Sequence, residues 1–367
     1  MYLALRDLRV AKGRFALVGA VIALVALLAT VLSGLAAGLV DDGISGLRAL
    51  PITHLTFQEG ADSSFSRSTL TPDALAAFAS TDGVEATPVG VSFVNAASDD
   101  GSTVDLALFG VDPGGFLAAA SAAPTAASAP GGGLDGGLVL SEDLADQATI
   151  GERFTVPGSD ETLPVVGFTF AGTYGHVPIA YTDLATWQHL QYGDDARGRF
   201  SAIALQVDGG AGVDLAALDA DAGTETGSKE AAFAGSPGYS AETATMSLIR
   251  GFLLVISALV VGAFFTVWTV QRTRQIGLLK ALGASSWYVV RDAVGQLAVV
   301  LLASVLVGTL AGLGLGGLVG DDVPFGFAAG SVLASAVSLA LVGMAGSLVA
   351  LRRLASIDPV VSLAVEQ

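Results

Sequence analysis

Four side chains near residue 240 have the types and the spacing to bind a metal centre and an anion. Glu242, Met246 and Arg250 follow one another at intervals of four residues, and Tyr239 precedes them. On an α-helix this spacing places the three on one stripe. The carboxylate, the thioether or the phenol could provide an axial ligand to a metal ion, and the guanidinium could hold an anionic group. The alternative is the solvated entry of a helix, whose polar groups bind no ligand.

Other residues that could carry chemistry are few. The chain has no cysteine and three histidines, His54, His176 and His189. Each histidine stands alone on a predicted strand or helix, which favours a structural or surface role. Residues 141–143, Ser-Glu-Asp, have the pattern of a helix cap with acidic first-turn residues. The motif G-x-x-x-x-G-K-[ST], which cradles nucleotide phosphates, is absent from the sequence. We therefore predict no catalytic residue, and a chain that is not itself an enzyme.

The composition predicts that these residues are positioned by membrane helices. Of the 367 residues, 52% are hydrophobic and 14% charged, and the mean hydropathy is +0.66. Such values are typical of membrane proteins. Four windows lack charged side chains, at 15–40, 251–271, 293–320 and 323–351. Each is long enough to cross a hydrocarbon core of about 30 Å as a helix. The first is longer than the apolar part of a cleaved signal peptide, so we predict a retained span.

Charge predicts the orientation of the spans. Basic residues flank them at the N-terminus, between residues 272 and 291, and at 352–353. The positive-inside rule makes these three places cytoplasmic. Segment 41–250 then lies outside, and it holds 28 of the 34 acidic residues but 7 of the 17 basic ones. The net charge of -17 therefore belongs to the outer segment.

The predicted fold has four transmembrane α-helices and a mixed α/β extracytoplasmic domain inserted between the first and second helix. Alternation predicts strands at 54–60, 84–96, 104–111 and 200–207, and Thr71-Pro72 predicts a helix start. Residues 121–137 and 209–238 are predicted to be loose. The predicted segments are a cytoplasmic N-terminus at 1–14, transmembrane helices at 15–40, 248–271, 293–318 and 327–350, the outer domain at 41–247, a cytoplasmic loop at 272–292, a short outer loop at 319–326 and a cytoplasmic C-terminus at 351–367.

The cytoplasmic loop has an amphipathic pattern. Apolar residues share one helical face and polar residues lie elsewhere. The apolar ones are Ile276, Leu279 and Leu282, the polar ones are Arg274, Gln275 and Lys280, and Gly283 follows as a helix stop. An apolar stripe on a cytoplasmic helix needs a partner, either lipid headgroups or a protein groove.

Small residues recur at helical spacing in two spans. Gly308, Gly312, Gly316 and Gly320 repeat every four residues, and Gly34 and Gly38 have the same spacing. The pattern predicts close packing of helix backbones, although glycine is also common in membrane helices. The four charge-free windows disfavour a proton-coupled carrier, which needs intramembrane carboxylates or histidines. An apolar, amphipathic substrate that enters from lipid fits them better.

Two stretches carry a family resemblance. The pattern R-x-R-x-I-G-L-L-K-A-L-G-A-S at 272–285 resembles the signature of FtsX/MacB-type permeases of ABC transporters. RRLASIDPVVSLA at 352–364 is similar to the C-terminal segment of that family, and the order of spans and outer domain matches. The runs LRDLRVAKGRFALVGAVIAL and LSGLAAGLVDDG most resemble bacterial haem-exporter permeases of the HrtB kind. Over 41–239 the resemblance is architectural only.

This resemblance implies a homodimeric permease in the bacterial plasma membrane, in contact with lipid and with no nucleic acid partner. It implies two copies of a separate ATPase, which binds ATP and Mg, and no cofactor on this chain. Residues 274–283 would be the coupling helix that docks on the ATPase. Haem is the favoured substrate, with Tyr239, Glu242 or Met246 as iron ligand and Arg250 as partner of the propionates. The alternatives are export of a peptide, antibiotic or lipid, and an FtsX-like signalling permease that activates a cell-wall hydrolase.

Overall fold

A computed structural model describes residues 12–99, 101–121, 134, 136–159, 161–318, 323–326 and 329–355. The chain divides into two compact units. The membrane unit consists of Met1–Leu39 and Thr243–Gln367, and the outer domain is Val40–Glu242. The predicted fold class, membrane helices with an inserted α/β domain, is confirmed.

The membrane unit is built from four long helices. They are α1 (Lys12–Ala49), α7 (Tyr239–Ala281), α8 (Ser286–Gly316) and α9 (Ala329–Ala355). In the described part of the chain, four helical segments are long and apolar enough to cross a membrane: Phe15–Ala49, Tyr239–Phe264, Val290–Gly316 and Ala329–Gly346. Two helices extend beyond the predicted spans. Helix α1 continues to Ala49, past the predicted end of the span at residue 40. Helix α7 begins at Tyr239, so it contains the predicted helical stripe of Glu242, Met246 and Arg250 and continues into the span predicted from 248.

The helices of the membrane unit bury one face and expose the other. On α8, Leu297 and Leu301 are fully buried against the α1 residues Ile22 and Ala26, whereas Leu306 is more than half exposed. Because lipid is as apolar as these side chains, the exposed face has the character of a lipid-facing surface. The buried faces of the helices pack against one another in one apolar cluster.

The outer domain is a mixed α/β domain. Its strands are β1 (His54–Gln58), β2 (Val84–Ser98), β3 (Thr103–Val111), β4 (Leu138–Ser141), β5 (Arg153–Val156), β6 (Glu161–Thr169), β7 (Thr173–Tyr174), β8 (Val177–Asp183), β9 (Ala202–Val207) and β10 (Thr224–Ser228). Its helices are α2 (Pro72–Ala79), α3 (Phe116–Ser121), α4 (Leu184–Tyr192), α5 (Leu215–Ala222) and α6 (Lys229–Ala232). The strands predicted by alternation correspond to β1, β2, β3 and β9.

The strands form one sheet in the order β10-β1-β9-β2-β3-β8-β4-β6-β5, and β7 pairs with β8. The pairs β3–β8 and β4–β6 are parallel, and the other pairs are antiparallel. Strand β5 pairs with β6 and also with β2. The strands β2, β3, β8, β4, β6 and β5 therefore form a closed circuit of paired strands. One core contains Phe57, Phe109 and Tyr181, and a second contains Phe78 and Trp187.

Two opposed glycines make room for the indole of Trp187. Gly90 on β2 and Gly110 on β3 face each other in the ladder, and a Cβ at either would overlap the Trp187 side chain. The ring is fully buried, and its Nε1 donates a hydrogen bond to Ser92 Oγ at 3.0 Å. The glycines are therefore required by packing in the middle of two strands.

We expect Gly90→Ala to destabilise the outer domain by about 1–3 kcal/mol, the usual cost of overpacking a well-filled core. Thermal unfolding followed by near-ultraviolet circular dichroism would measure the loss. Gly209→Ala is the control, because no heavy atom lies within 4 Å of a Cβ at Gly209. Equal thermal midpoints for the two variants would contradict the conclusion that Gly90 makes room for the Trp187 indole.

The segment 209–238 differs from its prediction as loose chain. It contains α5, β10 and α6, and β10 pairs with β1 over five residues. The sequence of β10, TETGS, lacks alternating apolar residues. Its strand conformation therefore depends on the tertiary pairing with β1, which no local pattern reveals. Most of the other predicted loose stretch, 121–137, lies outside the described residues.

Candidate functional site

A histidine links two carboxylates on three different elements of the outer domain. His176 Nδ1 lies 2.8 Å from Asp42 Oδ2, and His176 Nε2 lies 3.0 Å from Glu242 Oε1. Asp42 belongs to the last turns of α1, Glu242 to the first turn of α7, and His176 to the turn between β7 and β8. The three side chains are 26–34% exposed. We call this arrangement the His176 bridge.

The hairpin turn that carries His176 has a defined backbone. Gly175 and His176 both have positive φ, at 60° and 66°, between Tyr174 and Val177, which are paired. Two consecutive residues with positive φ are required by the two-residue hairpin turn whose twist matches that of the strands. Gly175 N donates to Gly43 O at 2.9 Å, so the turn lies against the end of α1.

The bridge favours the charged form of the histidine. Burial by itself would lower the pKa of His176, but hydrogen bonds to Asp42 and Glu242 and the charges of both carboxylates outweigh it and raise that pKa. The prediction that His176 stands alone is wrong. Its partners are 134 and 66 residues away in sequence. The sequence therefore offered no local signal for this cluster.

The other two histidines each contact one neighbouring side chain. His54 Nδ1 lies 3.0 Å from Thr53 Oγ1, and the half-exposed His189 places Nε2 3.3 Å from Glu161 Oε1. No group of three or more His, Cys, Asp or Glu within the described residues could hold a metal ion. These contacts agree with the predicted surface role of His54 and His189.

Two of the predicted ligand residues have contacts inside the outer domain. Glu242 is the carboxylate of the His176 bridge, and its backbone N–H donates to Gly238 O at 2.9 Å. The Tyr239 ring packs against Phe233, with ring centroids 6.4 Å apart. Both residues therefore have a packing or pairing role that the stripe pattern alone did not reveal.

Arg250 lines a cavity of about 310 Å³ in the membrane unit. The walls are apolar or small, and they come from three helices. They are Ala29 of α1, Leu253 and Leu254 of α7, and Gly330, Ser331, Ala334, Ser335, Ser338 and Leu339 of α9. Arg250 Nε is buried and has no hydrogen-bond partner among the described residues. Because the lining includes one arginine and no acidic residue, an anionic group in this cavity would be stabilised.

The outer domain has a cavity of similar volume and different chemistry. It is also about 310 Å³, and hydroxyl and aromatic groups line it, including Ser92, Phe93, Tyr174 and Tyr192. No charged side chain is among its lining residues. An anionic ligand would find no counter-charge there, whereas the membrane-unit cavity offers a guanidinium.

Met246 lies one helical turn before Arg250 on α7 and is partly buried. Thioether sulfur is a known axial ligand of haem iron. A thioether and a guanidinium therefore lie one helical turn apart on α7, and their roles as metal ligand and anion partner stay predictions.

The predicted coupling stretch is the end of a long helix rather than a separate one. Residues 272–281 belong to α7, Leu282 N still donates to Leu278 O at 3.0 Å, and Gly283 has a φ of 96°. Helix α8 then begins at Ser286, with Ser285 Oγ accepting from Tyr288 N at 3.2 Å. Leu282 is 81% exposed. The side chains of Arg274, Gln275, Ile276, Leu279 and Lys280 lie outside the described part, so their arrangement stays a prediction.

The C-terminal part of the chain decides the relationship to known proteins. Residues 247–359 match the FtsX-like permease C-terminal family. Over this segment the chain is similar to FtsX-like permeases, and we call residues 247–359 the FtsX-like domain. This domain contains most of α7 and all of α8 and α9, and it includes the segment whose motif carried the resemblance.

Relatives extend the similarity beyond the FtsX-like domain. A hemin transport system permease protein named HrtB, from Staphylococcus epidermidis, is 23% identical over 61% of this chain and 62% of its own length. The HrtB of Staphylococcus haemolyticus is 22% identical over 98% of both chains. The macrolide export ATP-binding/permease protein MacB of Bordetella avium is 33% identical over 34% of this chain and 20% of its own. The chain thus spans less than two thirds of the S. epidermidis relative.

Solved structures resemble part of the chain. The periplasmic region of MacB from Actinobacillus actinomycetemcomitans aligns with a TM-score of 0.36 and 12% identity, over 51% of this chain and 94% of that one. The extracellular domain of the YknZ transporter from Gram-positive bacteria aligns with a TM-score of 0.35 and 14% identity, over 48% of this chain and 98% of that one.

The glycines at helical spacing make close contacts within the membrane unit. A Cβ at Gly308 would overlap the carbonyl oxygen of Ala23 on α1, and one at Gly34 or Gly316 would overlap the Phe325 ring. Gly312 faces Thr30, where a Cβ would lie 2.8 Å from the threonine Cβ, and Gly38 faces the Pro324 carbonyl. Gly320 lies outside the described residues. The FtsX-like domain therefore packs its helix α8 on α1 of the same chain.

Proposed function

We propose that this protein is the permease subunit of an ABC exporter that expels an amphipathic, anionic substrate, with haem as the favoured cargo. The observation that carries the proposal is the largely apolar cavity whose lining includes Arg250 as its charged residue. The similarity over 98% of the chain to a permease named for hemin transport supports the same cargo.

Haem fits the chemistry of this cavity. It is a flat apolar ring with two carboxylates at one edge and an iron that takes axial ligands. The apolar and small walls suit the ring, and Arg250 would pair with a propionate. Met246, one helical turn before Arg250 and not part of the cavity lining, would offer a thioether to the iron at the cavity mouth. Tyr239 and Glu242 are secondary ligand candidates, because both have outer-domain contacts that ligation would have to replace.

Energy comes from a partner in this proposal. The sequence contains no nucleotide-binding loop, so two copies of a separate ATPase supply ATP hydrolysis to a permease homodimer. Residues 274–283 dock on the ATPase, and helix α7 carries the motion from this end toward the Arg250 cavity. The termini and the docking stretch lie in the cytoplasm, as the distribution of basic residues predicts, and the outer domain lies outside the cell.

Binding of haemin to the purified full-length permease in lipid nanodiscs tests the cargo. We expect a shifted Soret band, and about tenfold or greater weakening in Arg250→Gln, the usual range for losing a charge-assisted hydrogen bond. The dimethyl ester of the same iron porphyrin lacks the carboxylates, so Arg250→Gln should leave its weaker binding unchanged. Met246→Leu should alter the band position rather than the ester discrimination.

The matched control is Arg67→Gln, because Arg67 is an exposed arginine of the outer domain that pairs with Asp62 at 2.7 Å. It should bind haemin like the unchanged protein. Absence of a shifted band, or equal haemin affinities for Arg250→Gln and Arg67→Gln, would reject haem and the cavity together. In that case the signalling function, in which the acidic outer domain docks a hydrolase, becomes the better hypothesis.

A further inference from the structure

We propose that the cavity of about 310 Å³ in the outer domain is a binding site for a neutral saccharide, and that a sugar ring stacks there on the half-exposed side chain of Phe93. None of the residues that line this cavity lines the Arg250 cavity of the membrane unit. The inference therefore does not depend on the cargo proposed above.

The lining of this cavity is rich in hydroxyl groups. Eight of its fifteen residues carry one, among them Ser66, Thr69 and Ser92, and Gln191 adds an amide. Small-molecule pockets are usually lined mainly by apolar side chains with a few polar groups. A hydroxyl group is uncharged and both donates and accepts hydrogen bonds. The lining therefore matches a ligand that is itself uncharged and carries several hydroxyl groups.

Other classes of ligand fit this lining poorly. None of the lining residues is charged, so an anion or a cation would lose hydration without gaining a counter-charge. A purely apolar ligand would cover the hydroxyl groups and leave them without hydrogen-bond partners. A sugar ring avoids both costs, because its hydroxyl groups pair at the ring edge while its C–H groups present an apolar face.

Aromatic side chains in fixed positions offer a surface for that apolar face. The Phe93 ring stacks on Tyr174, with centroids 5.8 Å apart and 12° between the ring planes. Tyr174 is buried, whereas 47% of Phe93 is exposed. Tyr192 is held by Trp187, which packs edge-on at 5.8 Å, and by Arg199, whose guanidinium carbon lies 4.3 Å from the tyrosine ring centroid. Rings that are already held in place lose little conformational freedom when a ligand binds.

Two serines of the lining are oriented by the protein as hydrogen-bond donors for a ligand. Ser68 Oγ accepts from Gln58 N at 2.9 Å, and Ser92 Oγ accepts from Trp187 Nε1 at 3.0 Å. A hydroxyl group that accepts in this way keeps its own proton to donate. Each serine can therefore donate to a sugar oxygen without breaking a contact of the fold.

The cavity lies beside a gap in the sheet. Strand β2 pairs with β9 as far as Val89 and with β5 from Ala97, so between these residues it has no ladder partner on that side among the described strands. The Ser201 hydroxyl accepts from Val91 N at 3.2 Å. Because backbone groups alternate in direction along a strand, Phe93 turns its N–H and C=O to the same side. Two backbone groups beside the stacking ring can therefore pair with sugar hydroxyl groups.

Saturation-transfer NMR on the full-length permease in lipid nanodiscs tests the ligand class. The neutral probes are methyl β-glucoside and methyl N-acetyl-β-glucosaminide, and their charged counterparts are methyl β-glucuronide and methyl β-glucosaminide. We expect saturation transfer to the neutral sugars and about tenfold or greater weakening for the charged ones. Equal affinities for neutral and charged sugars, or no transfer to any neutral sugar in folded protein, would overturn the proposal.

A tetrasaccharide of the better neutral sugar identifies the source of the ring. Tighter binding than that of the methyl glycoside indicates a glycan chain, and equal binding indicates a free sugar, and the saccharide site stands in either case. An uncharged acetylated tetrapeptide amide is the competing ligand, because an extended peptide could pair with the open edge of β2. Tighter binding of this peptide than of the sugars would assign the cavity to a peptide and overturn the proposal.

Substitution of Phe93 tests the stacking surface. We expect Phe93→Ala to weaken binding of the neutral sugar by about three- to tenfold, and Phe93→Tyr, which keeps the flat ring, to bind like the unchanged protein. Thr69→Val keeps the side-chain shape and removes a lining hydroxyl group, and it should weaken binding by a similar factor.

Ile150→Ala is the matched control for Phe93→Ala. Ile150 is another exposed apolar residue of the outer domain, at 41%, and it does not line the cavity. This variant should bind the neutral sugar normally, and thermal midpoints would show that all variants are folded. Equal sugar affinities for folded Phe93→Ala and Ile150→Ala would contradict a sugar that stacks on Phe93.

Discussion

Replacing Gly308 with leucine is expected to remove folded permease from the membrane. Even a Cβ at Gly308 would overlap the Ala23 carbonyl oxygen and lie 2.7 Å from the Ala26 Cβ, so helices α1 and α8 would have to separate. Backbone cannot move aside as a flexible side chain can, so we expect a loss at or above the upper end of the roughly 1–3 kcal/mol typical of overpacking. Fluorescence-detected size exclusion should show a reduced or absent monodisperse peak.

Gly314→Leu is the matched control on the same helix. No heavy atom lies within 4 Å of a Cβ at Gly314, and this residue is on the exposed face of α8. It should give a normal peak and a thermal midpoint close to that of the unchanged protein. Equal behaviour of the two leucine variants would show that backbone contact between α1 and α8 is not what holds the membrane unit together.

Replacing Leu279 with aspartate is expected to abolish substrate-stimulated ATP hydrolysis while leaving membrane insertion intact. The prediction follows from the apolar face of residues 276, 279 and 282, which needs a partner groove on the ATPase. A charge buried in such a groove has no counter-ion, and its desolvation opposes docking. Pull-down of the ATPase and its stimulated hydrolysis rate are the two measurements, and charge reversal at Arg274 and Lys280 should have a smaller effect.

Leu278→Asp is the control for this variant, because Leu278 is 49% exposed and lies on a different face of the same helical turn. It should insert, bind the ATPase and stimulate hydrolysis normally. Normal stimulation by Leu279→Asp would rule out this end of α7 as the docking element, whichever substrate the permease carries.

The membrane part of the fold was predictable because lipid imposes a simple requirement. A backbone in hydrocarbon must satisfy its own hydrogen bonds, so charge-free windows become helices. The helix ends were not predictable in the same way. The predicted span ends at residue 40, but nothing in the sequence stops the helix there, since the stretch 41–49 contains no proline. The stretch 239–247 also lacks proline, and the spacing of Glu242, Met246 and Arg250 already indicates a helix before 248. Both helices therefore continue past the apolar windows.

In the outer domain, the sequence predicted strands in which apolar and polar residues alternate, and it missed a strand that lacks this alternation. Strands β2 and β3 have apolar residues on one face, whereas β10 consists of small and polar residues that pair with β1. Strand β10 was therefore missed, because its pairing depends on a distant part of the chain.

The candidate site was predictable only in part, because some of its residues are far apart in sequence. Arg250 was identified from its residue type beside an apolar span, and the structure places it in a cavity. The His176 bridge was not, because its three members are brought together by the fold. A two-residue turn between Tyr174 and Val177 was the available hint, and it predicts a hairpin but not the carboxylates that face it.

The most direct test of the whole account is ATP hydrolysis by the permease reconstituted with its co-purifying ATPase in lipid nanodiscs, measured with and without haemin. The account predicts that haemin increases the rate severalfold, that the porphyrin dimethyl ester does so weakly, and that Arg250→Gln loses the response to haemin but keeps the basal rate. A basal rate that haemin leaves unchanged, in complexes shown to contain both folded subunits, would contradict it.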